Sequence, residues 1–375
     1  MRNFLTVGLR ELRAELRTRD PRPRPPLAER ARWSRERAAR WAEETGWLVG
    51  CNFTPSTAGN QLELWQEATF DLPTIDRELG WASEQLGLNS ARIFLHDLVW
   101  ARDRAAFLDR VDAVLDAAAG HGIRTMLVLF DGVWDPNPRP GRQRDPRPGV
   151  HNSIWVQSPG AAVVGDPSRW PLLRRYVEAV IGRFGRDERV VMWDLFNEPD
   201  SPNPAYRRQE VRDKERLIAR LVDQVFDWAV GVDPDQPLTV GLYAHLHRAP
   251  ERARPASRVF LERSDVVTFH SYEPEDGLRA TIGSLRRFGR PLVCTEWMAR
   301  PRSPVALLEV FAAERIGCYC WGLVDGRTQT KHPWASWVRP IGPDRGWFHD
   351  LLHPDGTPYD PAEATLFRRV AGQRG

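Results

Sequence analysis

The chain has 375 residues, 42% of them hydrophobic, enough to bury one large α/β core or two ordinary ones. Its net charge of +3 is small against 53 basic and 50 acidic side chains, which argues against a strong polyanion partner such as nucleic acid. No segment approaches the length of an apolar membrane span.

All but two of the 53 basic residues are arginine (the lysines are Lys214 and Lys331), and their scatter reads as coding bias rather than a nucleic-acid surface. Cys51, Cys294, Cys318 and Cys320 all fall in apolar, strand-like runs and lack the spacing of a zinc site, so no metal is expected. Buried free thiols favour a reducing compartment. With no signal-peptide-length apolar stretch in Met1–Asp20, a cytoplasmic location is the expectation.

In chain order, residues 1–45 form an Arg/Pro-rich extension, broken at Pro21-Arg22-Pro23-Arg24-Pro25-Pro26. Within it, Arg30–Glu44 reads as a charged helix, solvated or capping the domain that follows at 46–375. Strands are then predicted at Trp47–Phe53, Ser90–Leu95, Thr125–Phe130, Val190–Phe196, Pro237–Tyr243, Asp265–Tyr272, Pro291–Thr295 and Gly317–Leu323. Helical patterns fill most gaps: Leu72–Leu86, Arg104–His121, Trp170–Phe184, Arg207–Val230, Gly277–Phe288 and Val305–Arg315.

The strands are continuous apolar runs, as expected of parallel strands covered by helices on the sheet's outer face. Eight such units imply a (β/α)8 TIM barrel. The rival, an open doubly wound sheet, would carry a phosphate-binding glycine loop after its first strand, where this chain reads Cys51-Asn52-Phe53-Thr54-Pro55. The longest irregular stretch, Asp131 to about Ser168, follows the third strand and therefore lies on the barrel face where active sites form. An aromatic loop, Trp334 to Trp347, follows the eighth strand, and a short closing helix lies within Asp355–Gly375.

Two strand ends carry the chemistry: Trp193-Asp194-Leu195-Phe196-Asn197-Glu198-Pro199 and Pro291-Leu292-Val293-Cys294-Thr295-Glu296-Trp297. Each delivers one glutamate where a strand gives way to a loop. Acid-base cleavage of a glycosidic bond needs two such carboxylates, one to protonate the leaving oxygen and one to attack the anomeric carbon. Strand two adds Arg92 and, just beyond it, His96 and Asp97; strand six adds His270 and Tyr272 on one face; strand eight adds Trp321.

This ordered set resembles clan A glycoside hydrolases, and most closely the family 5 cellulase-like group, over roughly Trp47 to Trp321. The resemblance implies Glu198 as acid/base, Glu296 as nucleophile and Asn197 as partner of the sugar 2-hydroxyl. It further implies that Arg92 and Tyr272 orient Glu296, that His270 contacts the sugar or the acid/base, and that Trp321 lies under the ring being cleaved. Retention of configuration, with carboxyl groups about 5–5.5 Å apart, follows from that assignment.

His96 and Asp97 could line the pocket or cap the next helix; further substrate contacts are expected from Asn60, Glu63 and Trp65 in the first loop, and from Trp134, His151, Asn152 and Trp155 in the third. Trp334 and Trp337 would add an aromatic wall. Family 5 chains usually carry a histidine at the end of strand three, where this one reads Leu129-Phe130-Asp131-Gly132. Asp131 could replace it, or His151 could fold back into the space. That departure marks a divergent branch.

The reading is thus a cofactor-free retaining β-glycosidase with a carbohydrate substrate and no nucleic-acid or membrane partner. The long third loop leans toward a pocket for short oligosaccharides or simple β-glycosides. The alternative is a carbohydrate-binding barrel without activity. A metal-dependent hydrolase lacks its His-x-His on strand one, and Gly322-Leu323-Val324-Asp325-Gly326 only faintly resembles a phosphate-binding turn.

Overall fold

The computed structural model of the chain describes residues 32–242, 255–342 and 347–372. Among them are eight parallel strands: β1 (Val49–Phe53), β2 (Ser90–Phe94), β3 (Arg124–Val128), β4 (Val190–Asn197), β5 (Leu238–Gly241), β6 (Val267–His270), β7 (Leu292–Trp297) and β8 (Gly317–Trp321). They run in the order β5-β4-β3-β2-β1-β8-β7-β6. The two end strands approach each other through a parallel bridge between Leu242 and Phe269, and the Asp265 N–H donates to the Leu238 carbonyl at 2.8 Å. The sheet thereby closes into the expected (β/α)8 barrel.

Local chemistry explains the helices around it. Asp71 accepts from the Thr74 N–H to start the helix Leu72–Leu86, and Gly87, in the left-handed conformation, ends it. Asp103 likewise caps the helix Arg104–Gly120. These helices and the outer faces of the strands share one continuous apolar layer.

A second cluster, including Leu48, Met126, Met192, Val293 and Tyr319, fills the bottom of the barrel, with Trp41 packed against it. Gly50 makes room there, because a Cβ would lie 2.6 Å from both the Tyr319 ring and the Ser90 carbonyl. Trp41 belongs to the helix Arg35–Thr45, which starts at its N-cap Ser34 rather than at Arg30. The compact unit that contains the barrel begins at Arg32. Residues 1–31 of the expected extension, and Tyr243 of the expected fifth strand, lie outside the described residues.

Boundaries differ elsewhere. The helix expected over Arg207–Val230 spans Lys214–Val232, after a 3-10 turn at Pro204–Tyr206. The intervening Arg207-Arg208-Gln209-Glu210 has no apolar stripe to dock, and Glu210 instead receives bonds from Asn203, Gln157 and Lys214.

Candidate active site

Five strands aim polar side chains into the C-terminal mouth of the barrel. Arg92 of β2 is the hub, fully buried. One terminal nitrogen donates to Asn52 Oδ1 of β1 at 2.7 Å and to Glu296 Oε1 of β7 at 3.0 Å. The other donates to Asp194 Oδ2 at 2.7 Å and Asn197 Oδ1 at 2.6 Å, both on β4. Asn197 Nδ2 then donates to Asp131 Oδ1 at 3.0 Å. The Tyr272 hydroxyl donates to Glu296 Oε2 at 2.8 Å. His270 Nδ1 lies 2.6 Å from Glu198 Oε1 and 3.5 Å from Glu296 Oε2.

Glu198 and Glu296 thus face each other, 8% and 6% exposed, with donor atoms within 4.8 Å of one another and of His270. The three could in principle ligate a cation. The guanidinium already bonded to Glu296 supplies positive charge there and opposes a second one.

The surroundings of the two carboxyls are unequal. Burial pushes Glu198 up to about 8; the Asp200 charge adds to this, and Arg92 and Lys214 oppose it. Burial also raises Glu296, and Glu198 adds to that, but His270, Arg92 and the Tyr272 hydroxyl all pull it down. Glu296 has two firm donors where Glu198 has one imidazole contact, so Glu296 is the first of the pair to ionise. Burial lowers His270 to about 4, leaving it neutral near pH 7.

The backbone is strained where Glu198 is presented. Glu198 has φ +38°, a conformation that costs a non-glycine residue about 1–3 kcal/mol. The Glu198 N–H, bonded to the Gly241 carbonyl at 3.1 Å, helps hold it there. So does Gly132, whose Cβ would meet the Glu198 carbonyl oxygen at 2.6 Å and Pro199 Cα at 2.7 Å.

Phe94, Trp155 and Trp321 pack edge to face at 5.4–5.9 Å, with Trp134 and Tyr272 at their margin, and form an apolar wall beside the carboxylates. Trp334 packs edge-on to Tyr272 at 4.8 Å, and Trp337 stacks on Trp134 at 4.8 Å.

Other expected contacts have different work. Trp65 is core, its Nε1 bonded to the Phe94 carbonyl at 2.7 Å and its ring packed on Phe70 and Phe107. Glu63 is an ion-pair partner of Arg327, at 2.9 Å. Asn60 caps the helix Gln61–Trp65. His96 caps the helix Asp97–Arg102 through its Nδ1, and Asp97 accepts from the Ser158 hydroxyl at 2.8 Å. His151 does not fill the space beyond strand three: its Nδ1 pairs with the His332 carbonyl at 2.9 Å, among the rings of Trp134, Trp334 and His349. Asp131 sits there instead, accepting from Trp155 Nε1 at 2.6 Å and Gln61 Nε2 at 2.9 Å. Burial raises its carboxyl to about 7 against the pull of the Asn197 and Trp155 hydrogen bonds and the Arg92 charge.

Asn52, Gln61, Asp194 and Lys214 are additions that sequence reasoning did not single out. A carboxylate inside the apolar run of β4 was the available signal for Asp194. Lys214, one of the chain's two lysines, donates to the carbonyls of Gly132 and Ser201 on either side of the Glu198 turn, at 3.2 and 3.0 Å.

Replacing Arg92 with alanine would strand Asp194 and Glu296 without their shared cation. A loss of about 3–5 kcal/mol is expected from breaking such a buried pair, read as a lower denaturation midpoint in urea. An unchanged midpoint would contradict the hub role.

A model of the cellulase family (glycosyl hydrolase family 5) matches residues 55–326 of the chain. No curated protein sequence matches it significantly. Among solved structures it is similar to a variant of GH5_18 from Streptomyces cattleya in complex with Manβ1-4GlcNAc (TM-score 0.57, 15% identity, 88% of this chain and 81% of that one). It is also similar to β-glucosidase 1317 (TM-score 0.59, 15% identity, 88% and 99% covered). A third likeness is to the β-mannanase of the blue mussel Mytilus edulis (TM-score 0.53, 16% identity, 80% and 93% covered). At these identities the structural likeness is one of fold.

Proposed function

Since the chain belongs to glycosyl hydrolase family 5, we propose that it hydrolyses β-linked oligosaccharides or glycosides with retention of configuration, through a covalent glycosyl-enzyme. The observation that carries this reading is the close, unequal carboxyl pair. Glu198 and Glu296 each offer an oxygen within 4.8 Å of the other's, a close approach that supports the ~5–5.5 Å separation of retaining enzymes.

In the first step the Glu296 carboxylate attacks the anomeric carbon as the glycosidic C–O bond breaks. Glu198 gives its proton to the departing oxygen. Arg92 and Tyr272 hold Glu296 ionised and aimed. An amide nitrogen carries two hydrogens, and Asn197 gives one to Asp131, leaving the other for the sugar 2-hydroxyl. Trp321 lies under the ring. Forming the ester removes the negative charge of Glu296, so the Glu198 carboxyl becomes more acidic and, once ionised, takes a proton from water. That water attacks the anomeric carbon, and Glu296 leaves as a carboxylate. Both carboxyls are present, and Glu296 keeps two donors that a barrel serving only to bind sugar does not need.

The substrate partner is a carbohydrate. No described helix is long and apolar enough to cross a membrane. The four cysteines are buried free thiols, which supports a reducing, cytoplasmic setting as part of the proposal.

The pH dependence follows from which form of each carboxyl works. Activity needs Glu198 protonated and Glu296 ionised, so kcat/KM is expected to fall as pH rises past about 8, where Glu198 loses its proton. The acid limb should lie above the ordinary carboxylate range, because Glu296 is raised. A plateau from pH 7 to 10 would contradict the assignment of Glu198.

The testing experiment is hydrolysis of aryl β-glucoside, mannoside, xyloside, galactoside and fucoside, with the first-formed anomer read by proton NMR. The β-anomer from any one of them supports retention, and the α-anomer means inversion. Silence across the panel and across β-linked oligosaccharides favours the sugar-binding barrel.

A further inference from the structure

Three of the loops above the site are bonded to one another. The loop after β1 (54–69) is tied to the loop after β8 by Glu63 and Arg327, which pair twice at 2.9 and 3.0 Å. It is tied to the loop after β3 by Asn60 Nδ2, which donates to the Ile154 carbonyl at 2.8 Å. The third and eighth loops meet directly: the Asn152 N–H donates to the Thr328 carbonyl at 2.8 Å, and Trp337 Nε1 to the His151 carbonyl at 2.7 Å. Stacking of Trp134 on Trp337, with planes 11° apart, adds an apolar seam.

The strands that carry these loops sit together in the barrel, in the order β8-β1-β2-β3. The loops therefore form one continuous wall along that side of the mouth. From the wall the eighth loop continues to Trp334, against the Tyr272 that holds Glu296.

The chemistry says which half of a sugar chain this wall meets. An acid must face the oxygen it protonates, so the leaving group departs over Glu198, at the end of β4. The ring being cleaved lies against Glu296 and Trp321, at the ends of β7 and β8. A chain continuing from that ring, away from the leaving group, would run toward β8 and β1, into the bonded loops. The two carboxyls are themselves more than nine-tenths covered.

We infer that the enzyme is exo-acting: its pocket accepts one terminal, non-reducing sugar and releases it as a monosaccharide. This rests on the hydrolase reading above and adds the position of cleavage.

The test compares, in the glucose and mannose series, a 4-nitrophenyl β-monoglycoside with a 4-nitrophenyl β-1,4-disaccharide whose non-reducing end is capped by a 4,6-O-ethylidene group. Direct release of nitrophenol from the capped compound requires room for two sugars behind the cleavage point. The capped compound should react at least ~100-fold more slowly than the monoglycoside, because a sealed pocket excludes it sterically. Early digests of the matching tetrasaccharides should contain only monosaccharide and trisaccharide. Cleavage of the capped disaccharide within about tenfold of the monoglycoside, or disaccharide among the first products, would overturn the inference and leave the hydrolase reading standing. Cleavage of none of these compounds would overturn the inference, and the hydrolase reading would fall with it only if the xyloside, galactoside and fucoside of the panel above were silent too.

Discussion

Glu296→Ala is expected to lower kcat/KM by about 10⁴-fold or more on whichever aryl β-glycoside the wild type cleaves, because the displacement loses its attacking atom. The fold should survive the change. Arg92 keeps its bonds to Asn52, Asp194 and Asn197, so the buried cation stays paired. Loss of turnover with an unchanged melting curve and retained sugar affinity would identify Glu296 as part of the chemistry rather than the binding surface. Azide supplies a sharper readout. In the vacated space it can attack the anomeric carbon while Glu198 protonates the leaving group, giving an α-glycosyl azide. Undiminished activity in the variant would mean that some other group is the nucleophile.

Glu198→Ala should behave differently, and the difference is diagnostic. Protonation matters most when the leaving group is a poor one, so alkyl glycosides and oligosaccharides should lose about 10²–10⁴ in kcat/KM. A 2,4-dinitrophenyl glycoside, whose phenolate needs no proton, should form the glycosyl-enzyme at close to the normal rate and then stall for want of a base. Azide would release that intermediate as a β-glycosyl azide, the opposite anomer to the one expected from the Glu296 variant. The alkaline limb near pH 8 should disappear with the carboxyl that causes it. Equal losses for every leaving group, with that limb intact, would assign the acid elsewhere.

The site was legible in the sequence wherever a residue's position along a strand decides its direction. Arg92, Asn197, Glu198, His270, Tyr272, Glu296 and Trp321 lie at or next to the ends of runs that read as buried strands, and the structure brings all seven to one mouth. Asp194 was overlooked because a carboxylate inside an apolar run has no local reason to be there. Its reason is Arg92, distant in sequence and adjacent only once β2, β3 and β4 are paired. Asn52, seen only as the absence of a glycine loop, accepts another bond from the same guanidinium.

The loops were legible only in outline. Trp65 and Trp155 look alike in sequence, each a bulky apolar residue in a loop at the catalytic face. Trp65 faces back onto Phe107, beneath the loop, whereas Trp155 faces Phe94 and Trp321 and gives its N–H to Asp131. Glu63 might equally have reached a sugar hydroxyl, had Arg327 not arrived from the far end of the chain.

The sequence by itself determined the barrel and the strand ends at which the two glutamates stand, because a buried parallel strand is a local apolar run with its reactive residue at the C-terminal end. Only the tertiary structure decided which tryptophans are wall and which are core, which loop charges are ties, and which side of the mouth is closed. Those outcomes depend on what a side chain meets in the folded barrel, and the partners come from other strands, helices and loops, as with Trp65 and Phe107, Trp134 and Trp337, or Glu63 and Arg327.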